Sequence, residues 1–454
     1  MIISVIGSGG KTSYIKELKE QFLQENKTVL ITTTTHMRIE KETLVDASYD
    51  QIMDEISKNG FCHAGNKADE RKICALNNDV FSRLKKSVDV ILIEADGSKQ
   101  LPLKCPREDE PVIDKESDEI VFITNLKGLG KKTKDAVHCY EQMNWKANQI
   151  VDAQMIQELV RVYLKKCPNM RIRVNGADTL YKRALKTLLE ANKDVNLIHS
   201  SWFEAQPKLV LLGAGHVSQY VAKMAHILDF YTIVVDSRKE FANKDCFPTA
   251  NEIHCVDFND MESILPNDNS ACYVIVTRGH KDDRLCLEKC IHRPHLYLGM
   301  IGSKPKVHKT FHDLMDAGYS KEELDGVYAP IGLDILAQTP AEIAVSILGQ
   351  IIEIKNARYT ASITDELRTT KDHGVLCIIT SKRGSSPRSV GSMMLVKENE
   401  VVDTIGGGRV EYQAILDARN TREVCVRHYE LNNSQGATLG MICGGSNDVL
   451  FIPI

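Results

Sequence analysis

Met1 to Ser13 reads MIISVIGSGGKTS, and the chain continues as an amphipathic stretch to about Glu25 before a second apolar run, TVLITTTT. A β-branched run, a glycine cluster closed by lysine and two hydroxyl residues, and then a helical pattern form the strand, loop and helix of a phosphate-binding turn. Gly7, Gly9 and Gly10 let backbone N–H groups converge on an anion without side-chain obstruction. In such a loop Lys11 contacts terminal phosphates, and Thr12, followed by Ser13, offers its hydroxyl to Mg²⁺.

The same β/α rhythm runs outward through VDVILIEAD, EIVFITN and RIRVN, so residues 1–200 are expected to form a P-loop-like domain on a parallel sheet. Glu94 and Asp96 end one of these strands, where a carboxylate binds Mg²⁺ directly or through water; Asp96 is the expected catalytic carboxylate. Asn175-Gly176-Ala177-Asp178 follows RIRV and resembles the NKxD motif that reads guanine, without its lysine. Asp178 would accept from the base, and a plain Asn-Gly turn is the alternative.

A second cycle, residues 206–357, opens with KLVLLGAGHVSQYVAKMAHILDFYTIVVDSR. Gly213, Gly215 and His216 lie between a strand and a helix, and Asp236 ends the next strand at the distance of a ribose-binding acid. This predicts a doubly wound Rossmann domain, with NAD preferred over NADP as a dinucleotide ligand. Gly302 and Ser303, after LYL, are read as a second anion nest, and His280 as either a proton carrier or a structural residue. Cys286 and Cys290 share a helix face, where core packing competes with metal binding.

The third segment, residues 372–454, carries three glycine turns in a small α/β pattern. The first holds Arg383, Ser385, Ser386 and Arg388, the second Gly406, Gly407 and Gly408 followed by Arg409, and the third Cys443 and Gly444. Converging amides and arginines suit a phosphorylated ligand. A thiol among glycines suits a soft metal–sulfur centre or a persulfide relay, so Cys443 is the second expected catalytic residue.

At 454 residues the chain should divide into two to four domains, with polar linkers near His199–Pro207 and Arg358–His373. A net charge of −4 gives no global field toward nucleic acid or membrane. No run approaches about 20 apolar residues, and the first residues enter a strand at once, so a cytoplasmic protein is expected. Thirteen cysteines without a CxxC pair read as reduced thiols.

GSSPRSVGSMMLV, IGGGRVEY and GMICGG resemble the small domain of the XdhC/CoxI family, which helps mature molybdenum hydroxylases such as xanthine dehydrogenase. KLVLLGAGHVSQYVAKMAHILDFYTIVVDSR, LGMIGSK and PIGLDILAQTPAEIAVSILGQII resemble that family's Rossmann domain. VIGSGGKTS, VLITTTTHM, IEADGSKQLPLKCP and EPVI resemble the YqeC-type proteins associated with selenium-dependent molybdenum hydroxylases; Lys99 and Lys104 fall in that pattern, as holders of an anionic substrate or as surface lysines.

The resemblance implies a maturation factor that binds molybdenum cofactor (molybdopterin), supports its sulfuration or selenation and hands it to an apo-hydroxylase. It implies ATP or GTP with Mg²⁺ at the first domain, an NTPase coupled to maturation, a cysteine desulfurase or selenium donor as partner, and a homodimer as an allowed state. In the family the second turn usually carries a cysteine where Arg409 stands, so Cys443 would act alone or with a substrate thiol. The small domain usually precedes the Rossmann domain; here it follows, on a linker long enough to let it dock in the usual place. Two other readings stand beside this one: an NAD-dependent oxidoreductase, from the Rossmann turn, and an ATP-dependent ligase, because the first loop has the short GxxGKT[ST] form of Mur-type ligases.

Overall fold

The structure is a computed structural model that describes residues 1–97, 99–203, 207–267, 269–358, 363–384, 388–430 and 445–454. Its first domain is a nine-stranded sheet. Ile2–Gly7 lies at the middle, with Val90–Glu94, Val29–Thr33 and Phe61–Lys67 to one side and Glu119–Asn125 and Arg171–Asn175 to the other, all parallel. Both faces are covered, so the central strands are buried throughout. Alternate residues go to opposite faces: Ile3 and Val5 pack with Tyr14, Ile15 and Phe22 of the helix Lys11–Gln24, while Ile2 and Ile6 join a core with the helices Ala153–Lys166 and Leu180–Glu190. Parallel pairing brings Gly7, Thr33, Glu94, Asn125 and Asn175 to one edge of the sheet.

The second domain has five parallel strands in the order Glu252–Cys255, Tyr231–Asp236, Lys208–Leu212, Ala271–Ile275, Tyr297–Met300. The chain order reverses beside the first strand, Lys208–Leu212, which is the switch point where such sheets place ligands. The helices His216–Ile227 and Pro340–Arg358 cover one face of it.

The third domain is antiparallel, in the order Val401–Asp403, Met393–Val396, Val375–Gly384, Gly445–Pro453, Cys425–Glu430. Its period-two pattern serves two cores. Val375, Cys377 and Ile379 face the domain's own helix, Gly408–Asn420, while Leu376, Ile378, Leu450 and Ile452 are continuous with the core of the first domain. Arg183, on Leu180–Glu190, donates to the carbonyls of Thr370 and Asp372 at 2.8 and 2.7 Å, and Thr187 to that of Pro453 at 2.9 Å. The small domain is thus seated on the first domain.

The two stretches expected as plain linkers are anchored. Trp202 is 3% exposed and Leu367 is fully buried, both in the shared core. Each sets large apolar side chains in a polar stretch, Trp202 with Phe203 and Leu367 with Ile363, and these find the core. Among the described residues no helix is long and apolar enough to cross a membrane.

Because the two domains share one core, Leu188→Ala and Leu376→Ala should each cost about 2–5 kcal/mol and shift the same unfolding transition. Calorimetry showing that each substitution moves a separate transition would rule out the shared core.

Candidate functional site

The first glycine loop leaves Ile2–Gly7 at the sheet edge and enters Lys11–Gln24 through positive φ values of 83° at Gly9 and 140° at Gly10. A Cβ at Gly9 would collide with Asn125 and the Pro102 carbonyl, and one at Gly10 with Asn175. The neighbours that exclude a side chain also hold the loop. Asn125 Nδ2 and Asn175 Nδ2 donate to the Gly9 carbonyl at 2.9 and 3.2 Å.

Asp96 is the hub of this site. It is completely buried, accepts the Gly7 N–H at 2.8 Å and the Tyr163 hydroxyl at 3.1 Å, and forms an ion pair with Lys11. Lys104 lies 3.8 Å from the same carboxylate and 2.8 Å from Glu110. Lys104 is therefore no surface lysine: charges from two other segments neutralise it inside the domain. Lys11 also lies 3.6 Å from Glu94. Burial pushes the Glu94 carboxyl up, against the pull of Lys11. Among the described residues Glu94 Oε2, Thr32 Oγ1 and Thr35 Oγ1 are buried without a hydrogen-bond partner.

Thr12 and Ser13 are exposed on the first turn of the helix. Direct metal ligation by Asp96 would have to displace Lys11, whereas Glu94 keeps an oxygen uncommitted. Asp178 is exposed and paired with Lys182 at 2.8 Å; from that motif it is Asn175 that reaches the loop. Asn125 carried a sequence signal, a polar residue closing an apolar strand as Glu94 does. Tyr163 carried none, being one apolar-face position of an amphipathic helix.

The Rossmann turn repeats the device. The Ala214 N–H donates to Asp236 Oδ2 at 2.7 Å, and Arg238 grips the same carboxylate through Nε at 2.9 Å and Nη2 at 2.7 Å. Asp236, expected to meet a ribose hydroxyl, is thus committed within the protein. Burial pushes its carboxyl up, but the hydrogen bonds from Arg238 and Ala214 outweigh burial and leave it below the usual range. Gly215 caps the helix with no atom of the described residues within 4 Å of a Cβ built there, and His216 is exposed beside it. Gly302 and Ser303 precede the helix Lys304–Asp316, whose Ser303 makes no side-chain cap. Behind them buried Asp283 accepts from Thr277 Oγ1 at 2.6 Å and pairs with Lys306. Cys286 and Cys290 are fully buried in the core, as the packing alternative requires.

In the third domain Gly406, Gly407 and Gly408 all have positive φ, the geometry of an anion nest, but the expected vacancy is filled from within. Glu411 Oε2 accepts the N–H groups of Ile405 at 2.9 Å and Gly407 at 3.0 Å, and the Thr404 hydroxyl. The Gly406 N–H goes to Thr404 Oγ1 at 3.0 Å. A carboxylate in the first helical turn reaches these amides more cheaply than an outside anion. Arg383 is exposed at the end of its strand and Arg388 half-buried; Ser385, Ser386, Cys443 and Gly444 lie outside the described residues.

Fold and turns together define an α/β protein with three sheets, in each of which one glycine loop is held by a carboxylate: Asp96, Asp236 and Glu411. Residues 3–141 match the YqeC protein family, residues 209–351 the XdhC Rossmann domain, and residues 367–429 the XdhC and CoxI family. The three matches follow one another along the chain, the YqeC match first, then the XdhC Rossmann match and the XdhC/CoxI match. It is 30% identical over 211 residues to the uncharacterized protein YqeB of Escherichia coli (strain K12), 46% of this chain and 37% of that one. It is 36% identical over 149 residues to YqeC of the same strain, also uncharacterized, covering 31% and 58%. It is 28% identical over 155 residues to a protein of Bacillus subtilis (strain 168) described as a probable xanthine dehydrogenase subunit, covering 34% and 44%. The matches span less than two thirds of each of these relatives.

Asp236→Asn should destabilise the Rossmann domain at neutral pH by about 1–3 kcal/mol, because Arg238 loses its charged partner. A depressed carboxyl contributes fully above its unfolded value and loses that contribution as pH falls through the folded one, so the difference should shrink below about pH 4. Denaturation of wild type and variant at neutral and acid pH checks this; a pH-independent difference would remove the ion pair from the account.

Proposed function

We propose that this chain is a maturation factor for a molybdenum hydroxylase, of the selenium-dependent kind that the YqeC half suggests. In this reading its first domain binds a Mg²⁺–nucleoside triphosphate, ATP or GTP, and its XdhC-type half holds molybdenum cofactor during sulfuration or selenation and hands it to the apo-enzyme. The observation that carries the proposal is the union on one chain of a YqeC match with both XdhC-type matches, supported by similarity to a relative whose name marks it as belonging to a probable xanthine dehydrogenase.

Lys11 supports the nucleotide half. Its buried ammonium is parked on Asp96 at the mouth of a loop whose backbone is already set for an oxyanion, so an arriving phosphate would exchange with a carboxylate rather than create a buried charge. Thr12 and Glu94 would hold Mg²⁺, with Asp96 behind them, and the ion would supply charge neutralisation of the phosphates. Hydrolysis coupled to cofactor handling belongs to the same proposal.

For the cofactor half, no atom of the described residues lies within 4 Å of a Cβ built at Gly407 or Gly408, and Arg383, Arg388 and Arg409 can add positive charge there. Molybdenum cofactor would supply the metal–sulfur centre, Cys443 its thiol contact. A cysteine desulfurase or selenium donor and the apo-hydroxylase are the partners this requires. The grip of Arg238 on Asp236 weighs against an NAD-dependent oxidoreductase.

In calorimetric titrations of the full chain with Mg²⁺–ATP and Mg²⁺–GTP, Lys11→Ala should weaken binding at least about tenfold, or 1.4 kcal/mol. Equal affinity in a folded variant would sink the nucleotide reading, and unchanged base preference in Asp178→Ala would remove that residue from base recognition.

Reconstitution of a client apo-hydroxylase should fail with Cys443→Ser while nucleotide binding persists. Equal activation by wild type and variant would return Cys443 to an inert thiol.

A further inference from the structure

Cys105 and Cys139 are 34 positions apart, and no motif joins them. The fold brings them side by side. A short parallel ladder pairs Leu103 with Val137 and Lys104 with His138, and the Cys105 N–H donates to the His138 carbonyl at 2.9 Å. In parallel pairing that bond sets Cys105 beside residue 139, about 5 Å from Cα to Cα. A disulfide spans about 4.4–6.8 Å between Cα atoms, and both residues are free thiols.

The two thiols differ in the way an exchange pair requires. Cys105 is fully buried, and burial pushes its thiol up to about 12. Cys139 is half-buried, leaves the ladder at φ 58°, lies 3.5 Å from His138 Nε2 and 3.6 Å from its Nδ1, and has the Arg107 guanidinium near it. Burial, then Lys104, Lys99 and Arg107, hold the His138 imidazole toward its neutral form, so it can receive a proton. Lys104, Lys99 and Arg107 gather around this corner, with Glu110 and Glu141 as the facing acids.

We infer that Cys139 and Cys105 form a thiol–disulfide exchange site for a small anionic disulfide of the oxidised-glutathione type. The Cys139 thiolate, its proton passed to His138, attacks one sulfur of the small disulfide; that S–S bond breaks and one thiolate leaves. Cys105 then loses its proton and attacks Cys139 Sγ, breaking the mixed disulfide and expelling the second thiolate. The protein dithiol is oxidised by two electrons, the small disulfide is reduced to two thiols, and the two protons end on the leaving groups. Lys99 and Arg107 supply the attraction for its carboxylates. The inference is independent of nucleotide or molybdenum binding.

The test equilibrates the full-length protein with graded mixtures of oxidised and reduced glutathione, followed by acid quenching, alkylation and peptide mass spectrometry. Wild type should yield a Cys105–Cys139 cross-link. Cys105→Ala, with Cys105→Ser as the second variant, should stall with glutathione on Cys139, and Cys139→Ser should leave Cys105 unmodified. Arg107→Gln should slow modification of Cys139 about tenfold while leaving exposed Cys255 as internal reference unchanged. A wild-type protein in which Cys139 retains glutathione without cross-linking, or reacts no faster than Cys255, overturns the proposal.

Discussion

A buried carboxylate at the carboxyl end of a strand, accepting from the backbone of a glycine loop, is the contact on which each half of this structure is built. Asp96 takes the Gly7 N–H and pairs with Lys11; Asp236 takes the Ala214 N–H and pairs with Arg238. Glycine turns leave amides pointing at one place, and an unpaired amide inside a protein is costly. A carboxylate satisfies it with a short charge-assisted bond, and a cation then offsets the carboxylate's own burial. Glu411 does the same for the third domain from within its own helix.

The consequence is a set of glycine loops that are pre-shaped yet neutralised from within. An anion reaching the first loop meets Lys11 on loan to Asp96, with Thr12 exposed beside it. At the Gly406–Gly408 turn the amides of Ile405 and Gly407 are already occupied, so a ligand there would rely on arginine charge and on the outward side of Gly407 and Gly408.

Seating the small domain on the first domain ties two of these sites together. Asn175 closes the strand Arg171–Asn175 on the Gly9 carbonyl, and the next helix, Leu180–Glu190, carries Arg183 and Thr187 onto the small domain. One strand and one helix therefore link the first glycine loop to the sheet of the third domain.

The strands, the three domains and the glycine turns were legible in the chain itself, because strand alternation, helical periodicity and glycine clusters are local properties. Lys11, Thr12, Glu94 and Asp96 stand out in that local pattern, each sitting where a strand or loop ends. What Asp96 and Asp236 touch was not legible, since the choice between an outside ligand and an internal cation depends on side chains brought in by other strands. Lys104 reads as a surface residue until Asp96 and Glu110 close over it, and Leu367 reads as linker until the helix Leu180–Glu190 presents a core to it. The pairing of Cys105 with Cys139 likewise exists only once Leu103 and Lys104 lie beside Val137 and His138. Local pattern determined which elements form; which distant charges, amides and thiols meet was decided by strand order and docking, because those contacts join segments that share no short-range signal.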